Sequence, residues 1–336
     1  MRIYFRKLKS FLSGGGAILP SMLLCTLIIF LIINPDRYIQ SVYYGIKLFG
    51  TSVAPALFPF FFFSRLLTGM GMADTLGGIL RAPVSKLYNA PAAGGYVCCM
   101  GIISGYPVGA KLLGELYSGG ALNRRQVKII SSFTSTSGPL FIVGTVATVM
   151  FGAPSMGYIL LAVHFISALF NGFVYRGKKS DSAGISVTAR KQNVGSLLSE
   201  SMLSSITSLL AVGGYIAVFS MISDVLEDIG LIGIAAQGLQ KIVFWHEMPY
   251  DMARGFIVSL VEVTKGCKII ADCGLPLSAT MPWVSFALAF GGISIGMQSL
   301  TFLSECKISW RYYFCTKITQ AAISMAIMWI IILIMY

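Results

Sequence analysis

Apolar residues run almost unbroken through long stretches of the chain. The polar ones fall in short basic segments between those stretches, or at a few interruptions inside them. Ala17 to Ile33 is a continuous apolar run ending at Asn34-Pro35-Asp36. It predicts a retained first transmembrane helix rather than a cleaved secretory signal, because it is long for a signal and lacks an A-x-A exit. A second span is predicted from Tyr38 to Phe63, interrupted by Pro55 and Pro59, and residues 66–90 read as a short surface helix. Residues 92–118 are too broken for a plain crossing and have basic residues on both sides, which predicts a re-entrant hairpin. Residues 129–150 then cross, with the helix interrupted at Ser137-Gly138-Pro139, and Gly157 to Tyr175 returns.

The later part of the chain follows the same plan. Leu197 to Ile222 crosses and ends at an acidic outer edge of Asp224, Glu227 and Asp228. Residues 229–251 are expected to lie along the outer surface, with Trp245 as an interface anchor. Residues 254–275 predict a second hairpin. Residues 278–303 predict a crossing interrupted at Gly291-Gly292, and Tyr312 to Tyr336 predicts the last helix. The expected fold class is therefore an all-α polytopic membrane protein with inverted repeats. It comprises about seven transmembrane helices, two re-entrant hairpins and two broken helices. The expected parts are an N-terminal segment and helix (1–37), a first repeat (38–176), a cytoplasmic linker (177–195) and a second, inverted repeat (196–336). Interrupted segments at matching places of two inverted halves point to a midplane site of a secondary transporter.

Composition agrees with a bilayer protein. Of 336 residues, 56% are hydrophobic and only 11% charged, against about a quarter charged in soluble domains. The net charge of +12 does not indicate nucleic acid, because it is distributed as a topology signal. Seventeen of the 25 Lys and Arg residues fall in segments assigned to the cytoplasm, which places the N-terminus inside and the C-terminus outside. Seven cysteines without a C-x-x-C pair, and two histidines without ligand spacing, predict neither a disulfide framework nor a metal site. No cofactor is expected. The phosphate-loop likeness of Gly105 to Lys111 fails on spacing and on Leu112, and no Ser/His/Asp set presents itself, so the chain is not expected to be an enzyme.

The candidate chemistry lies at the interruptions. Irregular backbone in a membrane must be packed in protein or line a watery cavity. Ser104, Gly105, Tyr106, Pro107 and Lys111 mark the first hairpin, and Ser135, Thr136, Ser137, Gly138 and Pro139 the first break. Glu262, Thr264, Lys265 and Lys268 mark the second hairpin, and Gly291, Gly292 and Gln298 the second break. Lys111 and Lys268 either snorkel to the headgroups or face a solute. Glu262 and Lys265, one helical turn apart, form either a structural ion pair or an ion-coupling site, and Glu115 has the spacing to neutralise Lys111. The hydroxyls either satisfy freed backbone groups or, with N–H groups at half-helix starts, hold carboxylate oxygens. Gln298 is read as interhelical glue or a ligand, and the Gly101/Gly105/Gly109 repeat as tight helix packing.

Four of these stretches, Ser104 to Lys111, Ser137 to Phe141, Glu262 to Gly266 and Phe290 to Gln298, resemble the YlbJ-type sporulation integral membrane proteins. That family lies within the wider Gate-domain group, with concentrative nucleoside carriers and the pore part of ferrous-iron transporters. The resemblance implies a cell-membrane protein of sporulating cells that moves dipicolinate across the membrane around the forespore. A small organic anion and the lipid bilayer are the implied partners, and a homo-oligomer is left open. A nucleoside or cation pathway, or a non-transporting envelope factor, are the alternatives. For either pathway, Glu262 and Gln298 would matter and the lysines would not.

Overall fold

The computed structural model describes residues 18–177, 194–243 and 248–335, and these contain helices but no strand. The N-terminal basic segment, most of the expected linker and Trp245 lie outside them. Helix α1 (Ile18–Ile33) leads into α2 (Pro35–Leu48). A π-helical turn over Phe49–Val53 then joins α2 to α3 (Ala54–Gly69). The expected interruption of the second span is thus a widened turn just ahead of Pro55, and Pro59 sits inside a continuing helix. Two short helices, α4 (Met72–Ile79) and α5 (Arg81–Tyr88), replace the single surface helix.

Next come α6 (Ala93–Ser104) and α7 (Val108–Ser118), joined at Gly105-Tyr106-Pro107. At about 1.5 Å per residue, neither arm approaches the ~30 Å of a bilayer core. Helix α8 (Arg124–Thr134) begins earlier than expected. The reason is a capping box: the Asn123 side chain accepts from Gln126 N–H at 3.0 Å, and the Gln126 side chain accepts from Asn123 N–H at 2.9 Å. The backbone is non-helical through the Ser/Thr run and resumes as α9 (Leu140–Met150), which is π-helical throughout. Pro139 has no N–H and disfavours helix at the residue before it, so the break falls here.

Helix α10 (Pro154–Val174) is followed by α11 (Val194–Asp228), which carries Asp224, Glu227 and Asp228 within its last turns rather than beyond its end. Then come α12 (Leu231–Ile242) and the second hairpin, α13 (Tyr250–Val261) and α14 (Val263–Asp272), which break at Glu262. The second interrupted helix is α15 (Leu277–Phe290) and α16 (Gly292–Leu303). It turns at Gly291 and Gly292, whose φ values of 83° and 75° suit glycine alone. Helix α17 (Trp310–Met335) ends the described chain.

Among the described residues, four helical segments are long and apolar enough to cross a membrane: Pro154–Val174, Gly195–Asp228, Leu277–Leu303 (α15 and α16 taken together) and Trp310–Met335. Large apolar side chains such as Ile33, Val149, Leu333 and Ile334 are more than two-thirds exposed, as expected of surface that meets lipid. Inside, one apolar cluster gathers Phe61, Tyr96, Leu113, Phe133 and Tyr313 around the first hairpin. A second gathers Ile142, Phe256, Val284, Leu288 and Met328 around the second hairpin.

The contacts of the two hairpins correspond. Both arms of the first pack on α8 and both arms of the second on α15, the leading halves of the two broken helices. Each trailing arm then reaches across: α7 packs on α16, and α14 packs on α9. Helix α11 closes one side against α2 and α3.

Candidate solute-binding site

The four interruptions meet. A Cβ placed on Gly105 (φ 77°) would lie 2.2 Å from the Gly138 nitrogen, and one on Gly138 would lie 2.9 Å from the Ser104 carbonyl oxygen. Gly101 and Gly109 extend this contact along the same backbone, each facing the Thr134 carbonyl oxygen, with hypothetical Cβ distances of 2.6 and 2.7 Å. The glycine repeat therefore packs against an interrupted helix. In the other half, a Cβ on Gly292 would stand 3.0 Å from the Ser259 carbonyl oxygen and 3.1 Å from that of Val261, beside the Glu262 break. The two pairs are tied to each other. Tyr106 Oη donates to the Ala289 carbonyl at 3.3 Å, and Ser137 Oγ donates to the Leu288 carbonyl at 3.4 Å. These bonds reach carbonyls left free where α15 ends.

A cavity of about 100 Å³ lies against this junction. Leu48, Val53, Leu57 and Phe60 from α2, α3 and the turn between them form one side with Val212 and Ile216 of α11. Opposite are Ser104, Tyr106, Ser137, Gly138, Glu262, Thr264 and Gln298, with Phe141 and Ile295 between. The site is thus an apolar scaffold facing an arc of hydroxyl, amide and carboxylate groups. Ser104 Oγ, on that arc, is buried without a hydrogen-bond partner. The start of α9 also faces the cavity, through Gly138, Leu140 and Phe141. The Phe141 and Ile142 N–H groups there share the Gly138 carbonyl at 3.1 and 3.2 Å, and the positive end of the helix dipole favours negative charge.

Glu262 is a cap rather than an ion-pair partner of Lys265. Its carboxylate accepts from Thr264 N–H at 3.3 Å and Lys265 N–H at 2.7 Å, so the side chain itself occupies the positive end of α14. Lys265 bonds instead to Asp224 on α11, which also accepts from Ser41. Lys268 is about half exposed and pairs with Asp272. Both lysines line an outer crevice with Arg37 and Arg254, and neither is on the cavity wall.

Lys111 is buried, but it points toward α11 and α3. Its Nζ lies 3.4 Å from the Ser204 carbonyl and 5.2 Å from the centre of the Phe61 ring. Glu115 bonds to Arg65 at 3.4 Å. Of the residues expected at the first break, Ser137 and Gly138 line the cavity, while Thr136 Oγ1 donates to the Gly101 carbonyl at 3.0 Å. Ser135 offers its carbonyl to a lysine, Pro139 starts α9, and Pro107 precedes α7. Gly291 faces the Tyr106 ring, and Gln298 donates weakly to Ser294 Oγ at 3.4 Å.

Two residues at the junction did not emerge from the sequence. Lys317 of α17 is 1% exposed and donates to Tyr106 Oη, to the Ser135 carbonyl at 2.8 Å and to Gln320 Oε1 at 2.6 Å. His164 of α10 accepts the Ser137 N–H at 2.8 Å through Nε2, which holds the break from behind. A lysine at the sixth position of the apolar Tyr312–Tyr336 span, with Gln320 one turn later, is a readable signal. His164 left none, because its partner is a backbone group made available only by the break.

The fold and its buried, interrupted helices define a polytopic α-helical integral membrane protein. The chain is 29% identical over 320 residues to the sporulation integral membrane protein YlbJ of Bacillus subtilis (strain 168), covering 88% of this chain and 78% of that relative. This similarity extends over most of the chain and agrees with the resemblance of the four motifs to the YlbJ-type proteins. No family model matches the chain, and no solved structure matches it.

Proposed function

We propose that the protein is a sporulation-associated carrier of a small organic anion, dipicolinate, across the membrane around the forespore. The relative is a sporulation protein by name, and the family resemblance supplies the solute. The observation that carries the reading is the convergence of four backbone interruptions on one cavity, since broken backbone within a membrane is tolerated where it lines a solute path. The reciprocal packing of α7 on α16 and α14 on α9 supports two inverted halves. In this arrangement seven helices span, both hairpins re-enter, the N-terminus is inside and the C-terminus outside.

The ring of the solute would lie against Tyr106, Phe141 and Phe60. Its carboxylates would take Ser104, Ser137, Thr264, Gln298 and the start of α9. No chemical step or cofactor enters this scheme. One observation favours a second reading: Glu262 and Gln298 line the cavity while Lys111, Lys265 and Lys268 do not, the pattern expected of a nucleoside or cation pathway.

Uptake into vesicles carrying the purified protein, with dipicolinate, a nucleoside and ferrous iron compared side by side, separates the two. Dipicolinate entry above that of empty vesicles is the expected result. Entry of only the nucleoside or only iron would establish the second reading, and entry of none would overturn both.

A further inference from the structure

The break between α8 and α9 has two electrically opposite ends, and only one of them faces the cavity. Helix α8 ends at Ser135, the negative end of its dipole, while α9 begins at Leu140, the positive end, where the Phe141 and Ile142 N–H groups share the Gly138 carbonyl. Left alone, the two would largely cancel. Lys317 occupies the negative end. Its Nζ takes the Ser135 carbonyl, Tyr106 Oη and Gln320 Oε1, which satisfies the three donors of an ammonium group with neutral acceptors. Among the described residues it has no carboxylate partner. Its Nζ also sits 4.8 Å from the centre of the Tyr106 ring, and that ring is part of the cavity wall. A buried cation in a low-dielectric setting acts over such a distance far more strongly than it would in water.

We infer that Lys317 is the charge-selecting residue of this carrier: it sits behind Tyr106 and makes the cavity prefer a carboxylate-bearing solute over a neutral one of the same shape. The inference rests on the carrier reading above. Lys317 is a positioning residue, since Tyr106 and Ser135 stand between it and the cavity. Ser104 Oγ, buried, unpartnered and on the cavity wall, is a separate indication that the same place suits a polar ligand. The second half carries the opposite device, with Glu262 on the positive end of α14. The structural alternative is that Lys317 merely ties α17 to the break.

Vesicle transport of three solutes of one shape distinguishes these roles: pyridine-2,6-dicarboxylate, its monocarboxylate 6-carbamoylpyridine-2-carboxylate and the neutral pyridine-2,6-dicarboxamide. In Lys317→Met we expect KM for the dicarboxylate to rise about tenfold or more. The rise should be smaller for the monocarboxylate, with no change for the dicarboxamide. An equal loss for all three solutes would overturn charge selection and leave a structural tie. Should Lys317→Met fail to accumulate, competition in the wild-type protein decides. The dicarboxamide should then inhibit dicarboxylate uptake at least about tenfold more weakly than the monocarboxylate does, and equal inhibition would sink the inference. If the wild-type protein moves no dicarboxylate at all, the carrier reading has failed before Lys317 is tested.

Discussion

Gly105 and Gly138 are in backbone contact, so that neither has room for a side chain: the hypothetical Cβ of Gly105 falls 2.2 Å from the Gly138 nitrogen. This contact joins the tip of the first hairpin to the first broken helix, and everything polar in the cavity is placed relative to it. Gly105→Ala is therefore expected to destabilise the protein. Its backbone, at φ 77° and ψ −166°, is open essentially to glycine alone and accounts for about 1–3 kcal/mol, and the overlap adds about 1–3 kcal/mol. Gly214→Ala, a helical position with no atom within 4 Å of the added methyl, should leave stability unchanged or slightly raised. Melting temperatures in detergent compare the two, and equal values would contradict the contact.

Glu262 caps α14, and substitutions can separate that role from coupling to an ion gradient. Glu262→Ala removes the cap of α14 and should cost about 1 kcal/mol of stability. Glu262→Gln keeps one acceptor oxygen, for the shorter Lys265 N–H bond, and loses the charge and the longer Thr264 bond, so it should lower the melting temperature less than Glu262→Ala does. If Glu262 couples transport to an ion gradient, exchange between equilibrated vesicles should persist in Glu262→Gln while gradient-driven accumulation is lost. Intact accumulation in that variant would remove Glu262 from coupling.

Lys111 and Lys268 looked like the natural anion ligands, yet one faces Ser204 and Phe61 and the other pairs with Asp272 outside the cavity. Lys268→Met should leave uptake within about twofold of wild type, because a half-exposed i,i+4 pair contributes little. Lys111→Met should leave KM unchanged even if expression falls. A selective rise in KM in either variant would place that lysine back on the solute path.

Ser104 Oγ is buried with no partner on the cavity wall. Removing an unsatisfied buried hydroxyl is neutral or mildly stabilising, so Ser104→Ala should melt at or above the wild-type temperature. A hydrogen bond made only to solute would then be missing, and its absence should raise KM by about tenfold or less. A variant less stable than wild type with unchanged KM would show that the hydroxyl has a structural partner instead.

The sequence by itself determined where the chain is interrupted. Ser137-Gly138-Pro139 and Gly291-Gly292 announce their breaks because proline lacks a donor and glycine accepts the left-handed backbone at no steric cost. The hairpins are legible from polar residues set in apolar surroundings, and the start of α8 from the capping-box spacing of Asn123 and Gln126. Which residues face the cavity was decided only by tertiary packing. Lys111 and Lys265 turn toward α11 because the Ser204 carbonyl and Asp224 stand there, more than 40 residues away along the chain in one case and more than 90 in the other. Lys317 reaches the first break from the far end of the sequence, 182 residues beyond Ser135. A charge buried at membrane depth goes to whichever acceptors the fold brings within reach. Local spacing shows that such a group needs partners, and only the packed helices select them.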